Sequence, residues 1–114
     1  MLTIEKLTAY GADVGTGLKR CVNKESLYLR LVKTVPSSAD FARLQETVAA
    51  GDYEAGFQAA HGLKGVTANL SLTPLSGPIM EITEHLRAGD VMDYQPLLHE
   101  IEQKRAELAE LCQD

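Results

Sequence analysis

Three histidines, His61, His85 and His99, are the side chains best able to form a covalent bond at neutral pH, and their surroundings differ. His61 lies in the stretch FQAAHGLKGVTANL, from Phe57 to Leu70. Wound as a helix at about 100° per residue, Ala59, Leu63, Val66 and Leu70 share one side, with Ala60 and Thr67 on its flank. His61 then lies about 160° from the centre of that apolar stripe and points to water. Its neighbours on the helix surface are the residues three and four positions away, namely Phe57, Gln58, Lys64 and Gly65. Ala68 lies two turns along the same face. Neutral imidazole is nucleophilic near pH 7, and histidine forms covalent intermediates. A phosphoryl group on its ring would be anionic. Lys64 offers a point-charge donor to such a group, and none of the four neighbours is a carboxylate. Each mid-helix glycine costs about 1 kcal/mol against alanine. Gly62 and Gly65 are therefore expected to provide clearance for another molecule.

The same residues have plainer readings. An exposed histidine with a lysine at i+3 is ordinary on a surface helix. Phe57, about 120° from the core centre, fits either a docking face or the boundary of the core. The other histidines serve as internal controls. His99 is followed by Glu102 at i+3 and Gln103 at i+4, and His85 stands near Glu81 at i−4. Both read as solvated surface residues.

The elements that must position His61 all read as helices. Sustained apolar/polar alternation is absent, and apolar residues recur at helical spacing. A short piece from Thr3 to Tyr10 closes at Gly11, and Asp13 can cap a second up to about Cys21. Gly15 and Gly17 weaken that second piece. Asn23 is expected to cap a third, with Leu27, Tyr28, Leu31, Val32 and Val35 on one stripe and a break at Pro36. Four principal helices follow: Ser37–Ala50, Asp52–Leu70, Pro74–Ala88 and Asp93–Leu111. Ser37 with Asp40 resembles a capping box. Phe41, Leu44 and Val48 face inward on the first of the four. Leu75, Ile79, Ile82 and Leu86 form the stripe of the third, Thr73 can cap it, and Pro78 should distort its start. Tyr94, Leu98, Ile101 and Leu108 face inward on the fourth, with Arg105 at the core edge. Gly51-Asp52 and Gly89-Asp90 each read as a stop followed by a start. The expected fold is all-α, an up-down-up-down antiparallel four-helix bundle with additional short N-terminal helices. These would pack across one end or extend the first bundle helix.

Composition bounds the function. The chain has 114 residues, 45% of them hydrophobic, enough for one domain spanning 1–114. Its formal charge of −5 disfavours nucleic acid as a partner, because phosphate neutralisation dominates that affinity. No apolar run approaches the ~20 residues of a membrane span, and no secretory leader is evident. Cys21 and Cys112 lack metal-site spacing and read as free thiols in a reducing cytoplasm. A monomer is expected if the exposed histidine is to remain open to another molecule. The start at Met1 and the complete last helix fit a free-standing domain. No nucleotide-binding glycine motif occurs, and no paired Glu-x-x-His motif of a di-iron bundle.

The segment AAHGLKGVTANLSLTPL resembles the signature of histidine-containing phosphotransfer (Hpt) domains, whose core reads roughly A-H-x-L-K-G, then four variable residues, an apolar residue and glycine. Ala60, His61, Leu63, Lys64, Gly65 and Leu70 occupy matching places. LKRCVNKESLYLRLVKTV, GDYEAGFQAAH and EHLRAGD are similar to flanking parts of the family. Departures are Gly62, where a larger residue is common, and Ala68 and Ser71, where glycine is frequent. Pro74 and Pro78 also alter the start of the next helix. The resemblance implies that His61 accepts a phosphoryl group from a receiver-domain aspartyl phosphate and passes it to another receiver, without kinase activity. It implies receiver domains of hybrid histidine kinases and response regulators as partners. The chain itself would bind no cofactor or metal, and Mg²⁺ would belong to the receiver. Phe57, Gln58, Gly65 and Ala68 would meet the partner. The alternatives are a non-catalytic adapter that docks a receiver without transfer, and an unrelated metal or cofactor bundle.

Overall fold

The computed structural model describes residues 1–113. Among them every regular element is helical: α1 (Ile4–Tyr10), α2 (Val14–Arg20), α3 (Glu25–Thr34), α4 (Asp40–Ala49), α5 (Tyr53–Asn69), α6 (Thr73–Ala88) and α7 (Gln95–Leu111). The chain is all-α, as the periodicity requires. α4 packs on α5, α5 on α6 and α6 on α7. This order, with short connections, agrees with the expected up-down-up-down bundle.

The stripes read from the sequence form the core. Phe41, Leu44, Leu63, Leu70, Leu75, Ile79, Ile82, Leu86, Leu98, Ile101 and Leu108 are all buried, and Tyr28, Val32 and Val35 join them from α3. Three expected core residues are not buried: Leu27 is half-buried, and two are exposed. Leu31 lies at the edge of α3, and Val66 is 38% exposed. Val66 is uncovered because α4 runs against α5 in the opposite sense. Thr47 and Val48 of α4 meet Gly56, whereas Asp40, the first residue of α4, meets Gly62. One turn beyond Gly62 there is no more α4 to cover α5.

The N-terminal helices close the end of the bundle where α5 finishes and α6 begins. The Asp13 amide donates to the Ser71 carbonyl at 2.9 Å. Arg20 donates to the Ala68 carbonyl at 2.6 Å, and the Tyr10 hydroxyl to the Lys104 carbonyl at 2.9 Å. Tyr28 is the central tie. It is fully buried, and its hydroxyl donates to the Leu70 carbonyl at 2.8 Å. Burial pushes this phenol up to about 12, so it remains a donor at physiological pH. A Cβ on Gly17 would lie 2.6 Å from the Tyr28 ring, so the glycine that weakens α2 on propensity is required by packing.

Local chemistry sets most helix ends. Asp13 and Asp52 accept from the Thr16 and Ala55 amides as caps. Gly11, Gly51 and Gly89 terminate α1, α4 and α6 in the left-handed region. Five expectations need correction. Asn23 does not cap α3: it stands at φ +58°, its amide donates to the Leu18 carbonyl, and Lys24 takes the cap position. Asparagine tolerates that conformation, and closing α2 uses it. Ser37 forms no capping box, because its hydroxyl donates back to Thr34, and Ser38 accepts from the Asp40 amide instead. Thr73 is the first helical residue of α6 rather than its cap. Pro78 lies within α6, which continues through it between the buried Leu75 and Ile79. The Gly89-Asp90 pair is only half of the expected device. Gly89 stops α6, but Asp90 pairs with His85, and α7 starts at Gln95, whose amide donates to Asp93.

Candidate functional site

α5 carries the residues with chemical potential. Its buried side is Gly56, Ala59, Ala60, Leu63 and Thr67, which face α4 and α6. His61 is therefore exposed in the middle of the helix, as the wheel requires. Its ring stacks on Phe57, with centroids 5.6 Å apart and planes 24° from parallel. Phe57 is half-buried against the core, so both sequence readings apply to it: it is a boundary residue and it borders the histidine.

Lys64 is half-buried, and no ion pair among the described residues involves it. Its charge is free to meet an anion beside His61. Gly65 is exposed, and a Cβ there would meet nothing within 4 Å. Gln58 is exposed and Ala68 half-buried, on the same outward side. Gly62 departs from expectation. A Cβ on it would lie 3.1 Å from Asp40 Oδ2, so its bareness accommodates this chain's own carboxylate rather than a partner.

Beyond Ala68 the helix closes in a Schellman motif. The Ser71 amide donates to the Ala68 carbonyl and the Leu72 amide to the Thr67 carbonyl, with Ser71 at φ +55°. The sequence places serine where glycine is common, and the backbone adopts the left-handed conformation regardless.

Arg87, which the sequence reading missed, joins the site from α6. Its guanidinium carbon lies 5.5 Å from the Phe57 ring centre, on a side chain that also reaches Glu84 at 3.7 Å. Arg87, Phe57 and His61 thus form a cation–aromatic–imidazole row. Inspection of one helix at a time cannot reveal this, because Arg87 simply faces away from the α6 core stripe. The two control histidines separate as well. His99 is exposed on α7. His85 is not merely solvated: its Nδ1 lies 2.7 Å from Asp90 Oδ2, where the ring must donate to the carboxylate.

The surface around His61 is an open helix face. The grooves between α4 and α7, which include Phe41, Gln45 and Arg105, and the groove beside Tyr10 and Leu111 are lined by other residues. Among the described residues no three or more His, Cys, Asp or Glu side chains are grouped to hold a metal ion. Among them, too, no helix is long and apolar enough to cross a membrane. Cys21 is buried and Cys112 half-buried, both free.

The family model for the Hpt domain matches residues 36–114, more than half of the chain and all of α4 to α7. The chain belongs to the Hpt domain family. Hpt domains are histidine phosphotransfer carriers of two-component systems, not kinases, and they interact with receiver domains in phosphorelays. The match begins after α3, so the helices that tie the end of α5 lie outside the shared Hpt region. Neither a curated protein nor a solved structure gives a significant match.

Proposed function

We propose that this Hpt domain carries a phosphoryl group on His61, taking it from the aspartyl phosphate of one receiver domain and giving it to the aspartate of another. The observation that supports this reading is an exposed imidazole midway along α5, one turn from an open glycine and from a lysine that forms no ion pair among the described residues. A neutral ring nitrogen attacks phosphorus. An N–P bond forms, the O–P bond breaks, and the carboxylate leaves with the bonding electrons. The ring releases its other nitrogen-bound proton to solvent. Delivery to the second receiver reverses these steps. Such transfer depends mostly on positioning and charge neutralisation. The Phe57 stack holds the ring, and Lys64 offsets the phosphoryl charge. Gln58, Gly65 and Ala68 border the docking face. In this reading the chain binds no cofactor, and the receiver supplies Mg²⁺ and the remaining catalytic groups. The partners are receivers of hybrid histidine kinases and of response regulators, met by a monomer in the cytoplasm.

Incubation with a phosphorylated receiver should leave acid-labile, base-stable label on the chain. His61→Gln should abolish it, while His85→Gln and His99→Gln should retain it. Label that persists without His61 refutes the assignment. Receiver binding without label would make the domain an adapter.

A further inference from the structure

The residue that follows the proposed acceptor is a glycine, and the structure gives that glycine an occupant. Asp40 Oδ2 lies 3.1 Å from where a Cβ on Gly62 would stand. That spacing is tighter than most real Cβ contacts, so an alanine at 62 would push the carboxylate back by a few tenths of an ångström. Asp40 is half-buried, and none of the ion pairs among the described residues involves it. Its carboxylate accepts no hydrogen bond from them either. Among the described residues no cation pairs with it beside α5; its only favourable partner there is the N-terminal end of α4, in whose first turn it stands.

The position matters because of what stands opposite. At about 100° per residue, Gly62 lies about 100° to one side of His61, toward α4. Lys64 lies about 60° to the other side, toward α6, where Arg87 caps the Phe57 ring. His61 stands between a cationic flank and an anionic one.

We propose that Asp40 is a positioning residue for the transfer equilibrium. Its carboxylate, admitted by the missing Cβ of Gly62, raises the free energy of phosphorylated His61 and so favours delivery of the group onward. This rests on the reading of His61 as the acceptor. Lys64 lowers the barrier by neutralising charge in the transition state, and Asp40 keeps the phosphorylated product from becoming a trap. From the 3.8 Å spacing of neighbouring Cα atoms and the lengths of the two side chains, the carboxylate lies about 10 Å from a phosphoryl group on His61. At that separation in water, repulsion of one or two phosphoryl charges changes an equilibrium constant about two- to four-fold.

The test is the ratio of phosphorylated carrier to phosphorylated receiver after equilibration at low ionic strength, with both proteins in large excess over the phosphoryl groups so that the ratio follows the equilibrium constant. Asp40→Asn should raise it about two- to four-fold, and Asp40→Glu should restore most of the wild-type value. Gly62→Ala, which need move the carboxylate by only a few tenths of an ångström, should leave the ratio close to wild type. Near 1 M salt, where screening acts over ~3 Å, the difference between wild type and Asp40→Asn should vanish. A purely structural Asp40, serving the α4 N-terminus, would change thermal stability and leave the ratio untouched. An unchanged ratio in Asp40→Asn, or in Asp40→Ser should Asp40→Asn fail to fold, overturns the proposal. A salt-independent shift also overturns it. Wild-type protein that takes no phosphoryl group at all defeats the reading of His61 instead.

Discussion

Gly65 lies one turn past His61 on the exposed side of α5, and an added Cβ would meet nothing within 4 Å. Alanine there should stabilise the helix by about 0.8–1 kcal/mol, and leucine by nearly as much, because both are strong helix formers. In a domain of this size that gain raises Tm by about 4 °C. The two substitutions should differ in function. A long helical side chain covers the turn N-terminal to its own Cα, so leucine at 65 would lean over the space beside the His61 ring. A receiver held off by even ~1 Å loses about 100-fold in rate. We expect Gly65→Ala to slow transfer by less than ~10-fold and Gly65→Leu by at least ~100-fold, with helix content preserved in both. The assay pairs thermal unfolding with the rate at which label passes from a phosphorylated receiver. Gly65→Leu that folds, gains stability and still transfers within a few-fold of wild type would show that nothing approaches this face, and the docking argument would fail.

Three further outcomes are expected. Lys64→Ala removes one charge-assisted contact, worth about 1.5–3 kcal/mol, so transfer should slow by roughly 10- to 100-fold without being abolished; full speed in single-turnover kinetics would take the lysine out of the mechanism. Arg87→Ala should release the Phe57 ring at a cost to stability of only about 0.5–1 kcal/mol. The ring-current shift on the His61 imidazole protons should shrink, Arg87→Lys should recover part of it, and unchanged NMR shifts would show that the arginine does not hold the row. Ser71→Gly relieves a left-handed serine and should raise stability by about 0.5–1 kcal/mol, read by chemical denaturation; a loss would mean that the serine side chain contributes more than its backbone costs.

Much of this molecule can be read one helix at a time. The stripe Leu75, Ile79, Ile82 and Leu86 repeats at the helical period, so its burial follows from the spacing alone. The outward direction of His61 follows from the same arithmetic on Ala59, Leu63 and Leu70. Asp13 and Asp52 could be assigned as caps because the bond they make spans only three residues. Capping expectations failed where another local bond competed, as at Ser37, which turns back to Thr34, and at Asn23, which α2 takes for its own closure.

What no single helix contains is the register between helices. Where α4 starts along α5 decides that Val66 is uncovered and that Asp40 stands against Gly62. The approach of α6 to α5 decides that Arg87 lies over Phe57, and the α6–α7 turn decides that His85 holds Asp90. The sequence by itself determined the helices, their apolar faces and the exposed nucleophile, because period and capping act within a turn or two. Only the tertiary structure decided which charges flank that nucleophile, because such neighbours are set by packing whole stripes together, far apart along the chain.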